Sequence, residues 1–189
     1  MDSPESVPAA VLLIRDFVNS YEPQVDDETL ATPAALRDWF AGRGLLPART
    51  RLGAAELAAA TTVREGLRSI LLGHGGHAVD EAAIAAGNEI LAELPVRLEF
   101  GADGYRMLPA GDGALDPALV GLLEAIRQAK EERTWARLKV CDRTTCRWAY
   151  YDSSRNQSRR WCSMAGCGNH LKMKRAYAAR VARGARGSD

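Results

Sequence analysis

No apolar run in the 189 residues approaches the roughly twenty needed to cross a bilayer. The opening residues, Met1 to Ser6, are acidic and include a proline, without the basic start or cleavage pattern of an export signal. A soluble, cytoplasmic chain with no membrane partner is the expectation. Internal repeats and long low-complexity tracts are missing too, although alanine is abundant. No glycine-rich phosphate loop and no nucleophile paired with a base occurs along the chain. These gaps remove the commonest catalytic signatures, so the expectation is a protein that is not an enzyme. Cysteine is scarce as well: there are four, and none lies outside 141–167.

That short stretch organises the chain. It reads CDRTTC, then fifteen residues, then CSMAGC, followed by a run of lysine and arginine. Two cysteine knuckles joined by a loop are what a tetrahedral metal needs, each tight turn supplying two thiolates. The gap within each pair is at the wide end of the usual spacing of about two to four residues for structural zinc. Two disulfides are the competing reading, and a reducing cytosol disfavours them. Cys141, Cys146, Cys162 and Cys167 are therefore read as the ligands of one Zn²⁺. With four sulfur ligands no position is left for water or substrate, so the metal is expected to be structural. An enzyme with a zinc appendage is the least favoured reading.

The net charge of +1 hides a strong asymmetry. Residues 1–132 carry 11 Lys+Arg against 21 Asp+Glu, which is −10, whereas 133–189 carry 14 against 3, which is +11. Four thiolates with Zn²⁺ lower the second figure by two and leave it basic. An acidic body joined to a basic metal module points to a nucleic-acid reader carried by a separate domain.

Ahead of the cysteines, hydrophobic periodicity predicts mostly helices. Val11, Ile14, Phe17 and Val18 mark one over about Ala9 to Asn19, closed by Pro23. Thr32-Pro33 starts a second, with a capping hydroxyl and then proline, and Leu36, Trp39 and Phe40 as its buried stripe. A third runs from about Ala54 to Leu72, with Val63, Leu67, Ile70 and Leu71 inward, and a fourth from Asp80 to Leu94. Val96, Leu98 and Phe100 alternate with Arg97 and Glu99, the period of a half-buried strand that returns as Tyr105 to Leu108. Asp116-Pro117 opens a last long helix toward the cysteines. The expected fold is α+β and mainly helical. It comprises an N-terminal helical domain with a small antiparallel hairpin (1–132), a treble-clef-like or ribbon-type four-cysteine zinc finger ending in a basic helix (133–183), and a flexible tail (184–189).

The run Leu138-Lys-Val-Cys141, then Cys146, Tyr150-Tyr-Asp-Ser-Ser-Arg-Asn156, Ser158-Arg-Arg-Trp-Cys-Ser-Met164 and Cys167-Gly-Asn169 resembles the CGNR zinc finger. Upstream, Asp16-Phe-Val-Asn-Ser20, Val63-Arg-Glu-Gly-Leu-Arg68 and Asn88-Glu-Ile-Leu91 are similar to segments of the ABATE domain that precedes this finger in its family. The resemblance implies a stress-induced transcription regulator. One position departs from the pattern: His170 stands where the family name implies arginine. If that arginine touches phosphate, this chain carries a weaker, titratable substitute; if it only packs, little changes.

Between the knuckles, Arg155, Arg159 and Arg160 are interleaved with Asn156, Gln157 and Ser158. Such donors contact phosphate, and Arg, Asn and Gln also read base edges; the alternative is a merely solvated loop. His170, Lys172, Lys174 and Arg175 extend the candidate surface onto the helix after Cys167, where Met173, Tyr177 and Val181 form a separate apolar seam. Trp148, Tyr150, Tyr151 and Trp161 are read as shielding the metal, with base stacking as the alternative. His74 and His77 are read as ordinary loop residues. In a sensor domain Asn19, Arg64, Arg68 and Asn88 would hold a small anionic ligand; the alternative for the arginines is outward-facing charge. The functional expectation is a regulator binding double-stranded DNA, whose first domain senses a small-molecule effector or docks a protein partner. The alternative is an RNA-binding accessory protein. Oligomeric state is open, with a homodimer among the options.

Overall fold

Five α-helices within residues 9–131 and three short hairpins are the main elements of a computed structural model that describes residues 7–102, 104–170, 172, 173, 177 and 180. Helix α1 (Ala9–Val18) turns Val11, Ile14, Phe17 and Val18 fully inward, as its spacing predicts. A two-residue ladder, β1 (Tyr21–Glu22) with β2 (Asp27–Glu28), leads to α2 (Pro33–Ala41). Thr32 caps α2 by accepting from the Ala35 N–H at 3.1 Å, with Pro33 at the first helical position. Leu36 and Phe40 of α2 are buried, and the Phe40 ring meets that of Phe17 at 5.6 Å between centroids.

Helix α3 (Ala54–His74) is the central strut, started by Glu56 reaching back to the Gly53 N–H at 2.7 Å. Against it lies α4 (Glu81–Ala92), capped by Asp80. The two cross where Gly66 faces Gly87: a Cβ on Gly66 would sit 3.0 Å from the Ala83 carbonyl oxygen, tighter than ordinary contact, so glycine suits this close approach. The hairpin β3 (Val96–Gly101) and β4 (Gly104–Pro109) follows, and then α5 (Asp116–Glu131). Helix α5 buries Ala118, Leu119, Leu122, Ala125 and Ala129. This is the expected α+β, mainly helical fold. No helix among the described residues is long and apolar enough to cross a membrane.

The last hairpin joins β5 (Leu138–Val140) to β6 (Ala149–Tyr151), with Leu138 opposite Tyr151 and Val140 opposite Ala149. These four side chains belong to the same apolar cluster as α1, α3 and α5. The charge boundary at 132 is therefore not a boundary of the core. Lys139, on the opposite face, is also buried.

Two expectations change. Strand β3 is not half buried: Val96, Leu98 and Phe100 are 39%, 63% and 88% exposed, because no described element covers their face. Arg64 and Arg68 do not face outward either, being 4% and 5% exposed. Arg64 makes a bidentate pair with Glu28 at 2.7 and 2.8 Å, and a cation buried this deeply needs such a partner. Lys174, Arg175, Val181, Arg183 and the tail 184–189 lie outside the described residues.

Candidate metal centre and nucleic-acid interface

Strand β5 delivers Cys141 to the start of the first knuckle, where its N–H extends the ladder to the Trp148 carbonyl at 2.9 Å. The knuckle closes through bonds from the Cys146 and Arg147 N–H groups to the Arg143 carbonyl, at 2.9 and 3.2 Å. Arg147 exits it at φ 52°, the left-handed turn that sends the chain back into β6. The second knuckle is a five-residue π-helical turn, Met164–Gly168, with Ser163 accepting from the Gly166 N–H at 3.1 Å. The knuckles are tied together by the Asp142 N–H bond to the Arg160 carbonyl and by the Arg160–Asp142 ion pair, both 2.9 Å.

All four sulfur atoms lie within 4.8 Å of one another, and Cys162 Sγ is 3.8 Å from the sulfurs of both Cys146 and Cys167. At a Zn–S bond of about 2.3 Å the edge of a ZnS₄ tetrahedron is about 3.8 Å. A disulfide needs about 2.05 Å, so the cysteines are arranged as ligands and not as cross-links. The same closeness links their titrations. Hydrogen bonds from Cys146 and Cys162 draw the Cys141 thiol far below its ordinary value. Its thiolate in turn pushes Cys146 and Cys162 upward. Four thiolates this close are compatible only with a cation among them. Zn²⁺ there would offset two of the four sulfur charges and lock the two knuckles together. Trp148 and Trp161 pack around the cysteines, the shielding role expected of them. Arg143, a residue sequence reasoning passed over, brings Nη1 to 4.0 Å from Cys167 Sγ. Its only sequence signal is a cation two places after a ligand.

The loop between the knuckles is held from beneath by Asp152, which is fully buried. Its carboxylate accepts from Lys139 Nζ at 2.8 Å, the Ser154 N–H at 3.1 Å and the Arg159 N–H at 3.0 Å. Burial raises the Asp152 pKa, but Lys139 and Ser154 outweigh it and hold the carboxyl below its usual value. Lys139 also donates to the Gln157 carbonyl, and Arg137 Nη1 donates to the carbonyls of Asp152 and Ser154 at 3.1 and 3.0 Å. Above this anchor Arg155, Asn156, Gln157, Ser158 and Arg160 are exposed. Arg159 is half-buried, donating to the Cys162 carbonyl at 2.9 Å with its guanidinium 5.2 Å from the Tyr150 ring centroid. His170 and Lys172 are exposed beside the second knuckle, as are Met173 and Tyr177.

Three of the four candidate ligand residues gather where the body meets the finger. Asn19 bonds the backbone of Ala149 twice, accepting from its N–H at 2.7 Å and donating to its carbonyl at 2.9 Å. Arg68 donates to the carbonyls of Val18, Tyr21 and Arg147 at 2.6, 3.0 and 3.0 Å. Arg64 adds Ser20 Oγ at 3.1 Å to its Glu28 pair. Asn88 is exposed on α4 and takes no part in this network. His74 and His77 touch the finger too, through the Leu138 carbonyl at 2.8 Å and Asp142 at 3.3 Å. A groove of about 550 Å³ between α1 and α5 is lined by Leu12, Leu13, Asp16, Arg43, Leu45 and Gln128, and by none of the four candidates.

The family model of the CGNR zinc finger matches residues 137–180. The ABATE family model, described as "Putative stress-induced transcription regulator", matches residues 13–129. No curated protein matches the chain. With well over half its length inside the second match, the chain belongs to the ABATE family and carries a CGNR zinc finger after that domain.

Proposed function

We propose that the chain is a DNA-binding transcription regulator whose finger contacts duplex DNA through the loop 155–160. The observation that carries this is a row of exposed polar and cationic groups, Arg155, Asn156, Gln157, Ser158 and Arg160, above a buried Asp152. The backbone carrying these donors is held before docking, which lowers the ordering cost of a contact with phosphate. His170 and Lys172 extend the cationic surface, and Lys174 and Arg175 add charge from the same stretch of sequence. Both matched families are a regulator and a zinc finger, and neither is enzymatic. The body supplies the regulatory half, answering to a small effector or a protein partner. Asn19 and Arg68 are its route to the finger, because each hydrogen-bonds finger backbone directly. We assign residues 1–132 and 133–183 to these two roles although they share a core.

The test is a competition on the full, zinc-loaded chain between duplex DNA and structured RNA of equal length at fixed salt. Duplex DNA is expected to win, with affinity falling steeply as salt rises. RNA displacing DNA would move the protein to the RNA-binding alternative, and no salt-dependent binding to either would remove the nucleic-acid reading.

A further inference from the structure

The β3–β4 hairpin has one edge covered and one open. Ala110 N–H donates to the Pro95 carbonyl at 2.9 Å, which fixes the parity of the ladder. Because bonded pairs alternate along antiparallel strands, the backbone groups of Arg97, Glu99 and Gly101 face β4. The N–H and C=O groups of Val96, Leu98 and Phe100 then point away from it. On β4 the same alternation turns Met107 outward, and its N–H meets Glu124 of α5 at 3.4 Å. The far edge of β4 thus packs against α5, whereas the far edge of β3 has no partner among the described residues. The edge is six residues long, without proline or lysine, its apolar side chains are exposed, and its two charges, Arg97 and Glu99, are of opposite sign.

We infer that this edge pairs with the same edge of a second copy, giving a continuous four-stranded antiparallel sheet about a two-fold axis at Leu98. The side chains select both the partner and the register. With Leu98 opposite its symmetry mate, Val96 faces Phe100 and Arg97 faces Glu99, so every pair is complementary. Sliding two residues one way sets Glu99 against Glu99, and the other way Arg97 against Arg97. A slide of one residue turns the free backbone groups out of phase. The backbone parity agrees independently, since Val96, Leu98 and Phe100 are the residues whose groups are free to bond across the axis. So short an edge buries less than a standard interface, so the association is weak and concentration-dependent. It stands on the hairpin alone, whatever the finger binds.

Sedimentation of the full zinc-loaded chain tests this over about 1–300 µM, the range of weak homotypic contacts. The expected result is a monomer passing to a dimer within that range. Leu98→Pro removes an N–H that points away from β4, so the hairpin survives while pairing weakens by at least about tenfold. Arg97→Glu sets like charges against each other at both ends of the ladder. It should weaken pairing by a similar factor, with part of the loss recovered in high salt. A wild-type chain that stays monomeric at the top concentration overturns the inference. So does a dimer that both variants leave unchanged while their circular dichroism matches wild type.

Discussion

The body and the finger of this chain are stabilised by different means. In the body Ile14, Phe17, Leu30, Leu36, Phe40, Leu71 and Leu122 are all sealed from solvent, and apolar burial accounts for the fold. Around the knuckles the interior is almost only cysteine: Cys141, Cys146 and Cys167 form the buried cluster, with Trp148, Trp161 and Cys162 partly covered around it. So little apolar surface cannot order a loop, and the metal must supply what the core does not. The β5–β6 hairpin belongs to both, with Leu138, Val140, Ala149 and Tyr151 in the body's core and Cys141 at its end. A change at the metal therefore reaches the body through a strand that the body itself holds in place.

The largest expected effect comes from breaking the weaker of the two means. Wild-type protein should carry one Zn²⁺ per chain, and Cys162→Ser should abolish tight retention, since structural zinc is worth on the order of 10 kcal/mol. Amide exchange should then rise across 141–168 while α1, α3 and α5 stay protected. Collapse of all three helices along with the finger would mean that the two regions fold as one unit. Absence of zinc together with two disulfides by mass would remove the metal centre altogether.

Glu28→Ala strikes the other side of the comparison. It strips Arg64, 4% exposed, of its bidentate partner and leaves Glu65, 2.9 Å from Nε, as its remaining carboxylate. A loss of about 3 kcal/mol is expected, read as a lowered midpoint in denaturant with an unchanged slope. Zinc content should hold at one per chain below that midpoint. Loss of zinc at native denaturant concentrations would show that the body's polar interior supports the metal site directly.

Asn19→Ala probes the junction itself. It strips both hydrogen bonds from the Ala149 backbone and should cost about 2 kcal/mol, with faster exchange in β6. The same substitution in chelated protein should cost less, because β6 is then loosened from its other end. Equal costs with and without metal would mean that Asn19 serves the body alone.

What the sequence disclosed follows from where the cause lies. Each helix is set by local periodicity and by caps such as Thr32 and Asp80, so it can be read in a short window. The cysteine spacing is legible for the same reason, because each knuckle is a local turn. The roles of Asn19, Arg64 and Arg68 depend on partners far along the chain, Ala149, Glu28 and Arg147 among them. Their helical spacing alone read as ligand site or surface charge. Strand β3 shows the reverse case: its alternation does indicate a strand, but whether the apolar face is covered depends on a partner outside the pattern. The buried Lys139–Asp152 pair looks, in sequence, like any two charges.

The smallest expected effect distinguishes an anchored loop from a merely charged one. Arg155 is exposed in the candidate interface, while Arg159 beside it braces the finger through the Cys162 carbonyl and the Tyr150 ring. Arg155→Ala should leave zinc content and melting unchanged, lower the log–log salt slope by about one, and weaken all duplexes alike if the contact is to phosphate. A base contact would instead cost about 1–3 kcal/mol at one position and relax selectivity there. Arg159→Ala should weaken binding too, but through the fold, so its loss must track loosened exchange at Cys162 and Tyr151. Measuring both variants on a preferred and a scrambled duplex separates these routes. If Arg155→Ala binds like wild type while Arg159→Ala fails with zinc and exchange intact, the half-buried arginine is the contact. The interface would then lie on the Tyr150 side of the finger, away from the exposed row.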